Sequence, residues 1–353
     1  MSNLQLMKFN DVDLADPFFD TLKKNYTEFG VWFKRKSEDK CYILKNIHGL
    51  LDGFLYLKLE KGPVVDLDPI INCKLVLKIG TFKINPHLTR LGERFIKKAL
   101  DHAIFNKAEA CYVTLFDKHK ELRDLFMKYG FEKYGVKKTC NGTEIVLVKN
   151  LKIINEDILK DYPLVNAKDK KKYLLAIYPE FHTKLFPDSI LRNESFNILE
   201  DVSHTNSIHK IYISGMPVNK AKRGDILVIY RTSDKVGPAE YRSVATSICI
   251  VEEVKPKGEF RDFEHFFNYA NTYSVFDEVS LKKWYSRKKF YTIKMTYNAA
   301  LTKRLTRQRL ADEVGLRREV RWSFIKLRDD EFCKIVELGE VNEGIVINEL
   351  LER

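Results

Sequence analysis

Two stretches of this chain carry residues suited to binding phosphate groups. The first is a short polar turn at 85–90, between an apolar run (Leu75–Ile84) and an amphipathic pattern at 91–106. The run predicts a strand, and the 3.6-residue period after the turn predicts a helix. The first turn of such a helix presents unpaired backbone N–H groups at the positive end of the helix dipole. The turn is therefore a candidate site for a phosphate or pyrophosphate.

The second stretch, residues 282–291, interleaves five cations with four aromatic rings. Cations neutralise phosphates, and flat rings stack on unpaired bases at roughly 1–3 kcal/mol each. The competing interpretation is a solvated connection whose aromatic side chains fill the core. We favour nucleic-acid contact, and the contact residues predicted here are Lys283, Trp284, Arg287 and Lys288. Further cations extend the basic character toward the C-terminus: Lys303, Arg304, Arg307, Arg309, Arg317, Arg318 and Arg321.

Length and composition indicate a globular protein of two domains. A chain of 353 residues exceeds the usual size of a single core, and 44% hydrophobic with 31% charged residues is an ordinary composition. No stretch approaches the roughly 20 apolar residues of a membrane span, and the N-terminus has no signal-peptide pattern. The scattered cysteines argue against a zinc site and a disulfide framework. We predict a soluble cytoplasmic protein without metal or membrane partner. The net charge of +12 favours a polyanionic partner over mere compositional bias.

The first half alternates helices and strands. Asp16 followed by Pro17 predicts the start of a helix over 16–26. Asn141-Gly142 is a tight-turn signal before a closing strand at 143–149. The polar, lysine-rich segment 151–172 is expected to link two domains. The other strands predicted are 31–35, 41–45, 50–59, 75–84 and 111–116, with helices at 91–106 and 118–129.

The second half has short apolar runs separated by turn residues. Strands are predicted at 173–177, 208–213, 225–230, 241–254, 289–296 and 320–327, with helices at 262–270 and near 302–314. That spacing is typical of a small β-barrel or a strongly curved sheet. Polar residues near the expected barrel mouth would line a base or nucleotide pocket. Those predicted to bind nucleic acid are His182, Lys184, Arg231, Thr232 and Arg242.

Residues 5–150 resemble the GNAT superfamily of acyl-CoA N-acyltransferases. In that family a loop with the pattern Arg/Gln-x-x-Gly-x-Gly/Ala binds the coenzyme A pyrophosphate, and a later helix ends in aromatic-x-x-x-Gly-Phe. Here the loop is His87-Leu88-Thr89-Arg90-Leu91-Gly92, and the later signature is Phe126-Met127-Lys128-Tyr129-Gly130-Phe131. Of the two small positions in the loop only Gly92 survives. Arg90, in place of the first glycine, would either add a phosphate contact or block one.

The resemblance implies an α/β (α+β) fold with a mixed central sheet and acetyl-CoA as the cofactor. In GNAT proteins the strand before the loop splays from its neighbour, and its exposed backbone groups bind the pantetheine arm. That strand is 78–84 in this chain, with Phe82 and Ile84 nearest the thioester and Lys83 as a further cofactor-binding residue. The pyrophosphate would lie on the loop residues His87, Leu88, Thr89, Arg90, Leu91 and Gly92. The alternative is an ordinary β-α-β crossover that binds no ligand.

The catalytic groups are left open by the resemblance. Many GNAT enzymes protonate the leaving thiolate with a tyrosine at the position of Phe126, and phenylalanine has no proton to donate. The candidates are Tyr129, on nearly the same helix face; His119, near the helix start; and Glu60, before the cofactor strand. The competing interpretations are a polar residue of the helix cap for His119 and a solvated loop acid for Glu60.

The second half resembles the PUA-like β-barrels, which include the ASCH and EVE domains. The marker is the run KRGDILVIYRT at 222–232, in which Gly224-Asp225 precedes an apolar strand that ends on Arg231-Thr232. A second strand follows Tyr241-Arg242-Ser243. Many domains of this group are implicated in binding RNA or modified bases, so the resemblance implies a mostly-β RNA-binding domain.

These features predict a GNAT-like domain at 1–150, a linker at 151–172 and a PUA/ASCH-like domain at 173–353. The function that fits them is acetyl-CoA-dependent N-acetyl transfer to RNA, to a tRNA base or an aminoacyl group. One alternative is a non-catalytic nucleic-acid-binding protein with a degenerate acyl-CoA domain. Another is a toxin-like acetyltransferase with a protein acceptor. Stacking and phosphate contacts serve RNA and single-stranded DNA alike, so both stay open as partners, as does the oligomeric state.

Overall fold

The chain folds as two units, each built around a large sheet of its own. The computed structural model describes residues 4–46, 48–85, 91–186, 207–342 and 344–347. The N-terminal unit comprises Met1–Asn155 and the C-terminal unit Glu156–Arg353. In the described part of the chain, no helix has the length and apolar character that crossing a membrane requires.

A mixed sheet forms the centre of the N-terminal unit. Its strands are β1 (Leu4–Lys8), β2 (Lys40–Lys45), β3 (Leu51–Lys61), β4 (Leu75–Ile84), β5 (Ala110–Leu115), β6 (Glu132–Thr139) and β7 (Gly142–Asn150). They are hydrogen bonded in the order β1-β2-β3-β4-β5-β7-β6. Strands β4 and β5 run parallel, and the remaining neighbours are antiparallel. The predicted α/β fold with a mixed sheet is confirmed.

The α-helices described in this unit are α1 (Asp20–Asn25), α2 (Phe29–Arg35), α3 (Leu91–Phe105) and α4 (Lys120–Lys128). The Asp16 side chain accepts a hydrogen bond from the Phe18 N–H and caps a short 3-10 turn before α1, as Asp16-Pro17 predicted. The strand predicted at 31–35 is wrong, because that segment lies in α2. Phe29, Trp32 and Phe33 fall on one helical face and pack into an aromatic cluster around Phe9.

The C-terminal unit is built on strands of very unequal length. They are β8 (Val165–Asn166), β9 (Lys172–Ile177), β10 (His209–Ser214), β11 (Ile226–Arg231), β12 (Val244–Pro256), β13 (Tyr291–Thr306), β14 (Phe324–Leu327) and β15 (Val346–Ile347). Six form one sheet in the order β10-β13-β12-β11-β9-β14, and β15 pairs with β8. Register shifts mark bulges between β12 and β13, which bend long strands. Among the described strands no pairing joins the two edge strands, β10 and β14. The strands therefore form an open sheet and not the closed barrel that was one expectation.

The helices of this unit are α5 (Ile158–Asp161), α6 (Pro179–Leu185), α7 (Ala239–Arg242), α8 (Phe263–Ala270), α9 (Glu278–Tyr285), α10 (Arg307–Arg309) and α11 (Asp329–Leu338). The predicted helix at 262–270 is confirmed, with the Asp262 carboxylate accepting from the His265 N–H. The helix predicted near 302–314 starts only at Arg307, because β13 continues to Thr306 in pairing with β12. The strand predicted at 241–254 starts at Val244, after α7.

The segment expected to be a linker, 151–172, is partly folded. It contains α5 and β8, and the side chains of Tyr162, Leu164 and Val165 are fully buried. The chain divides at Asn155 and Glu156. Although this segment is mostly polar, a few of its apolar residues pack into the C-terminal unit. Most of the segment therefore belongs to that unit.

Candidate functional site

Strands β4 and β5 separate in the middle of the N-terminal sheet. Their pairing runs from Val76–Ala110 to Ile79–Val113 and ends there. Strand β4 continues to pair with β3 as far as Ile84, and β5 continues to pair with β7 as far as Leu115. The edge of β4 from 80 to 84 that faces β5 therefore has no strand across from it. Backbone N–H and C=O groups on such an edge need other hydrogen-bond partners.

A bulge at Gly80 lies where the two strands part. Tyr56 of β3 is opposite Thr81, whereas Leu57 is opposite Ile79, so Gly80 is an extra residue in β4. A Cβ atom on Gly80 would lie 2.6 Å from Cδ1 of Tyr56, so glycine permits the bulge with Tyr56 in place. Bulges redirect a strand locally, and this one falls at the end of the β4–β5 pairing.

A cavity of about 1020 Å³ opens beyond the divergence. Residues of the strands from β3 to β7 line it together with α1, α2 and the first two turns of α4. Its volume is that of a small-molecule site. The five residue steps from Ile79 to Ile84 span about 16 Å at roughly 3.3 Å per step, a length comparable with an extended pantetheine arm. The open β4 edge and the cavity together fit such an arm.

Charged side chains line the cavity near the point where β4 and β5 part, and a tyrosine of β5 lies beside them. Lys58, Lys78 and Tyr112 are direct neighbours on β3, β4 and β5. The Tyr112 hydroxyl donates to Oε2 of Glu60 at 2.6 Å, and Nζ of Lys58 lies 2.8 Å from its Oε1. Burial opposes ionisation of Glu60, but these two hydrogen bonds and the nearby Lys78 outweigh it, and its pKa is lowered. Glu60 is therefore an ionised carboxylate with both oxygens engaged.

The predicted cofactor residues fall into two groups. Phe82, Lys83 and Ile84 line the cavity. The Phe82 ring packs edge-on against Phe95, and the Lys83 amine bonds the Thr21 hydroxyl. Leu91 and Gly92 lie in the first described turn of α3 and are buried; the other four, His87, Leu88, Thr89 and Arg90, lie outside the described residues.

Gly92 has a packing role that the loop pattern did not suggest. A Cβ atom there would lie 2.6 Å from Cδ2 of Leu125 in α4, so the glycine lets α3 approach α4. Glu93, in the same turn, pairs with Lys128 of α4 at 2.9 Å. The carboxylate near this helix start is thus already neutralised by a lysine.

The three catalytic candidates differ in their access to the cavity. His119 and Glu60 line it. His119 is the N-cap residue of α4, and burial together with the charge of Lys118 lowers its pKa. Tyr129 is fully buried, does not line the cavity, and accepts a hydrogen bond on its carbonyl from Lys149. Phe126 is also fully buried, with its ring 5.1 Å from that of Phe82.

Sequence reasoning missed two phenols at the cavity wall, Tyr26 and Tyr56. The Tyr26 hydroxyl donates to Oε1 of Glu144 at 2.8 Å, and the Tyr26 ring stacks on Phe116. Burial and the Glu144 carboxylate raise the pKa of Tyr26. Tyr26 and Glu144 are 118 positions apart in the chain, and no local motif connects them.

In the C-terminal unit, the aromatic side chains of α9 pack inward, whereas the cations on and just after this helix are exposed. Trp284 and Tyr285 pack against the aromatic core of this unit, whereas Lys283, Arg287 and Lys288 are exposed. The Arg287 guanidinium lies 3.9 Å from the centre of the Trp284 ring and covers one face of it. The core-filling interpretation holds for the rings, so Trp284 has little free surface for stacking on a base. The cations remain available to phosphates.

Four of the seven later basic residues pair with carboxylates. Arg307 lies 3.3 Å from Glu240, Arg309 lies 2.6 Å from Glu313, and Arg318 lies 2.8 Å from Asp312. Lys303 likewise pairs with Glu340. Their positive character is therefore weaker than the sequence suggested, because the acids that pair with them are interspersed on the same surface.

The predicted base-pocket residues are mostly enclosed or engaged. Arg242 forms a two-point ion pair with Asp234 and lowers the pKa of that carboxyl. His182 is fully buried, and its Nε2 lies 2.8 Å from Oγ1 of Thr246. Arg231 is 3% exposed, and Thr232 follows it at the end of β11 with its hydroxyl buried. Lys184, on α6, is exposed. Of this set only Lys184 presents its charge freely to solvent.

Comparison with known proteins gives structural likeness alone. No family model and no curated protein matches the chain. The ASCH protein of Zymomonas mobilis matches over 51% of this chain and 100% of its own, at 14% identity and a TM-score of 0.34. An IAA acetyltransferase of Bacillus cereus matches over 42% and 98%, at 13% identity and 0.32. A Bacillus subtilis acetyltransferase solved in complex with CoA matches over 42% and 99%, at 12% and 0.32. The two groups correspond to the two families that the sequence resembles.

Proposed function

We propose that the protein is an acyl-CoA-dependent N-acyltransferase, with acetyl-CoA as its acyl donor. The observation that carries this proposal is the end of β4–β5 pairing at Ile79 and Val113, where a cavity of about 1020 Å³ opens. The free edge of β4 offers backbone donors and acceptors to the two amide groups of a pantetheine arm. An open edge of this kind in the interior of a sheet suits a bound strand-like ligand.

The pyrophosphate of the donor would lie near the first turn of α3. The N–H groups of Leu91 and Gly92 belong to that turn, and helix starts favour anions. Glu93 does not oppose this, since Lys128 pairs with its carboxylate. The loop residues His87 to Arg90, which lie outside the described part of the chain, stay predicted contacts.

Acyl transfer to an amine moves one proton from nitrogen to sulfur. The amine must lose a proton to attack the thioester, and the thiolate must gain one to leave. We assign the first role to His119, because it lines the cavity and its lowered pKa keeps the imidazole neutral near pH 7. Phe126 cannot supply the second proton. In this proposal His119 passes the proton that it accepts from the amine on to the thiolate.

RNA is the acceptor that we propose. Exposed cations on and after α9 and the net charge of +12 support a polyanionic substrate. Binding a large acceptor away from the reacting amine would help to position that amine. A protein acceptor and a binding-only role are the alternatives that the experiments below separate.

Isothermal titration with acetyl-CoA tests the donor site. We expect micromolar binding to the native chain and at least tenfold weaker binding to Thr114→Trp. Thr114 lines the cavity just beyond the last β4–β5 pair, so an indole there fills the space for the arm. Thr143→Trp is the matched control, since Thr143 is exposed on β7 of the same sheet.

Three outcomes of the titration bear directly on the proposal. Weak binding by Thr114→Trp alone, with an unchanged melting temperature, supports a donor site between β4 and β5. Equal binding by both variants would mean that acetyl-CoA binds at a different place in the chain. No binding to the native chain contradicts the enzyme and leaves a nucleic-acid-binding protein.

A further inference from the structure

Lys78 lies at the closed end of the cleft between β4 and β5. It forms the second-last pair of the two strands, opposite Tyr112, and the last pair, Ile79–Val113, follows. Its Nζ lies 5.5 Å from the centre of the Tyr112 ring, so the side chain extends from β4 over β5. Lys78 also lines the cavity. Its amine is therefore held above the vertex from which the cleft opens.

The carboxylates near this amine are engaged by other groups. Glu60, on β3, binds Lys58 and Tyr112. Asp66, on the loop after β3, pairs with Lys137 of β6 at 2.5 Å. Among the described residues no carboxylate lies within 4.0 Å of Nζ of Lys78. Lys78 is thus a lysine of the cavity that has no ion pair within the described part of the chain.

Burial and nearby cations favour the uncharged form of this amine. Burial, and after it the charge of Lys137, lowers the pKa of Lys78, and Lys58 acts in the same direction. Glu60 and Asp66 oppose the shift without cancelling it. An uncharged amine is the nucleophilic form, so a larger fraction of Lys78 than of a surface lysine is reactive at a given pH.

The length of the open strand brings a thioester to this amine. A pantetheine arm that enters beside Ile84 and follows β4 for about 16 Å ends near Ile79, at roughly 3.3 Å per residue. The neighbouring residue is Lys78. We infer that Lys78 is a self-acylation site, modified by the acyl thioester bound in the cleft; this inference rests on the proposed function.

The chemistry needs no further reactant. The lone pair of Lys78 Nζ forms a bond to the acyl carbon, and the carbon–sulfur bond breaks. Sulfur leaves with its electron pair and takes the proton that the nitrogen loses, giving an amide and the free thiol of coenzyme A. The amide adds bulk where the cleft between β4 and β5 ends, so the acylated chain should bind acetyl-CoA more weakly.

Peptide mass spectrometry after incubation with acetyl-CoA tests the inference. We expect one acetyl group per chain, on Lys78, and none on that peptide in Lys78→Arg. Lys83 is the internal reference, since burial also lowers its pKa on the same strand but its amine bonds the Thr21 hydroxyl. Lys133→Arg, a change at an exposed residue of β6, should leave labelling of Lys78 unchanged. The labelling rate should rise with pH and level off below 10.5, the ordinary lysine pKa.

The calorimetric titration separates the two ways in which this inference fails. If the native chain binds acetyl-CoA but acetyl groups appear on exposed lysines in the same pattern as in urea-unfolded protein, the inference is wrong and the donor site stands. If Lys83 is labelled as fast as Lys78, position at the vertex has no effect and the inference is again wrong. Without acetyl-CoA binding, both the proposed function and the modification are contradicted.

Discussion

Replacing Lys283, Arg287 and Lys288 together by glutamine is expected to weaken RNA binding roughly 100-fold at 0.1 M salt. All three cations are exposed on or just after α9. Each phosphate contact to a single strand contributes about −0.7 to the slope of log affinity against log salt, or roughly fivefold at this salt concentration. Loss of three contacts should therefore also reduce the slope by about 2.

Fluorescence anisotropy of a labelled, unstructured RNA over a range of KCl concentrations measures both quantities. The matched control replaces Arg307, Arg309 and Arg318 by glutamine, which removes the same charge. These arginines already pair with Glu240, Glu313 and Asp312, so their loss should change the slope by well under one unit.

The pattern of the two triple variants decides between acceptors. Loss with the α9 variant alone supports a nucleic-acid surface at α9. Equal losses in both would mean that net charge, and no particular surface, attracts the RNA. If the native chain shows no salt-dependent binding, RNA is the wrong partner and a protein acceptor becomes the better hypothesis. A DNA oligonucleotide of the same sequence separates RNA from single-stranded DNA.

The contrast between the two basic segments also marks a limit of sequence reasoning. Cations are visible in the sequence, but their pairing is not. Arg318 pairs with Asp312 six positions away, across a turn at Gly315 with φ of 97°, and Arg307 pairs with Glu240 from another helix. Only the fold brings these acids to the arginines, so a count of basic residues overestimates the free charge.

In the N-terminal unit, local patterns predicted elements well and relationships between elements poorly. The apolar run at 75–84 and the helical period after it correspond to β4 and α3. The point where β4 leaves β5 depends on a bulge at Gly80 against Tyr56, and neither residue is unusual in the sequence. The strand predicted at 31–35 failed for the opposite reason. The apolar run was short, and packing of Trp32 and Phe33 on Phe9 favoured a helix.

The catalytic candidates show the same division. Spacing placed Tyr129 on nearly the same helix face as Phe126, yet both are fully buried and Tyr129 does not line the cavity. His119 and Glu60 were nominated from their place in the chain, and both line it. Tyr26 reaches the cavity because α1 ends beside β7, where Glu144 accepts a hydrogen bond from the Tyr26 hydroxyl. Contacts over such separations follow from the topology of the sheet, which no single motif encodes.

Acidification from pH 7.5 to 5.0 is expected to destabilise the C-terminal unit by about 2 kcal/mol through His182 alone, at about 1.4 kcal/mol per pKa unit. Burial, and after it the charges of Arg231 and Arg304, lowers the pKa of His182 from 6.5 to about 3. The unfolded chain binds a proton below pH 6.5 and the folded chain does not. Stability is therefore fully present above that pH and is lost as pH falls toward 3.

Urea unfolding at the two pH values in a Trp32→Phe background measures this effect. The remaining fluorescence comes from Trp284 and Trp322, both in the C-terminal unit. His182→Gln keeps an amide where Nε2 bonds Thr246 but has no proton to gain, so its stability should fall by about 2 kcal/mol less than that of the parent. His265→Gln, a change at an exposed residue of α8, should behave like the parent. An equal pH dependence in all three proteins would show that burial does not hold His182 neutral. A His182 imidazole that is already protonated in the folded chain would take up no proton on unfolding.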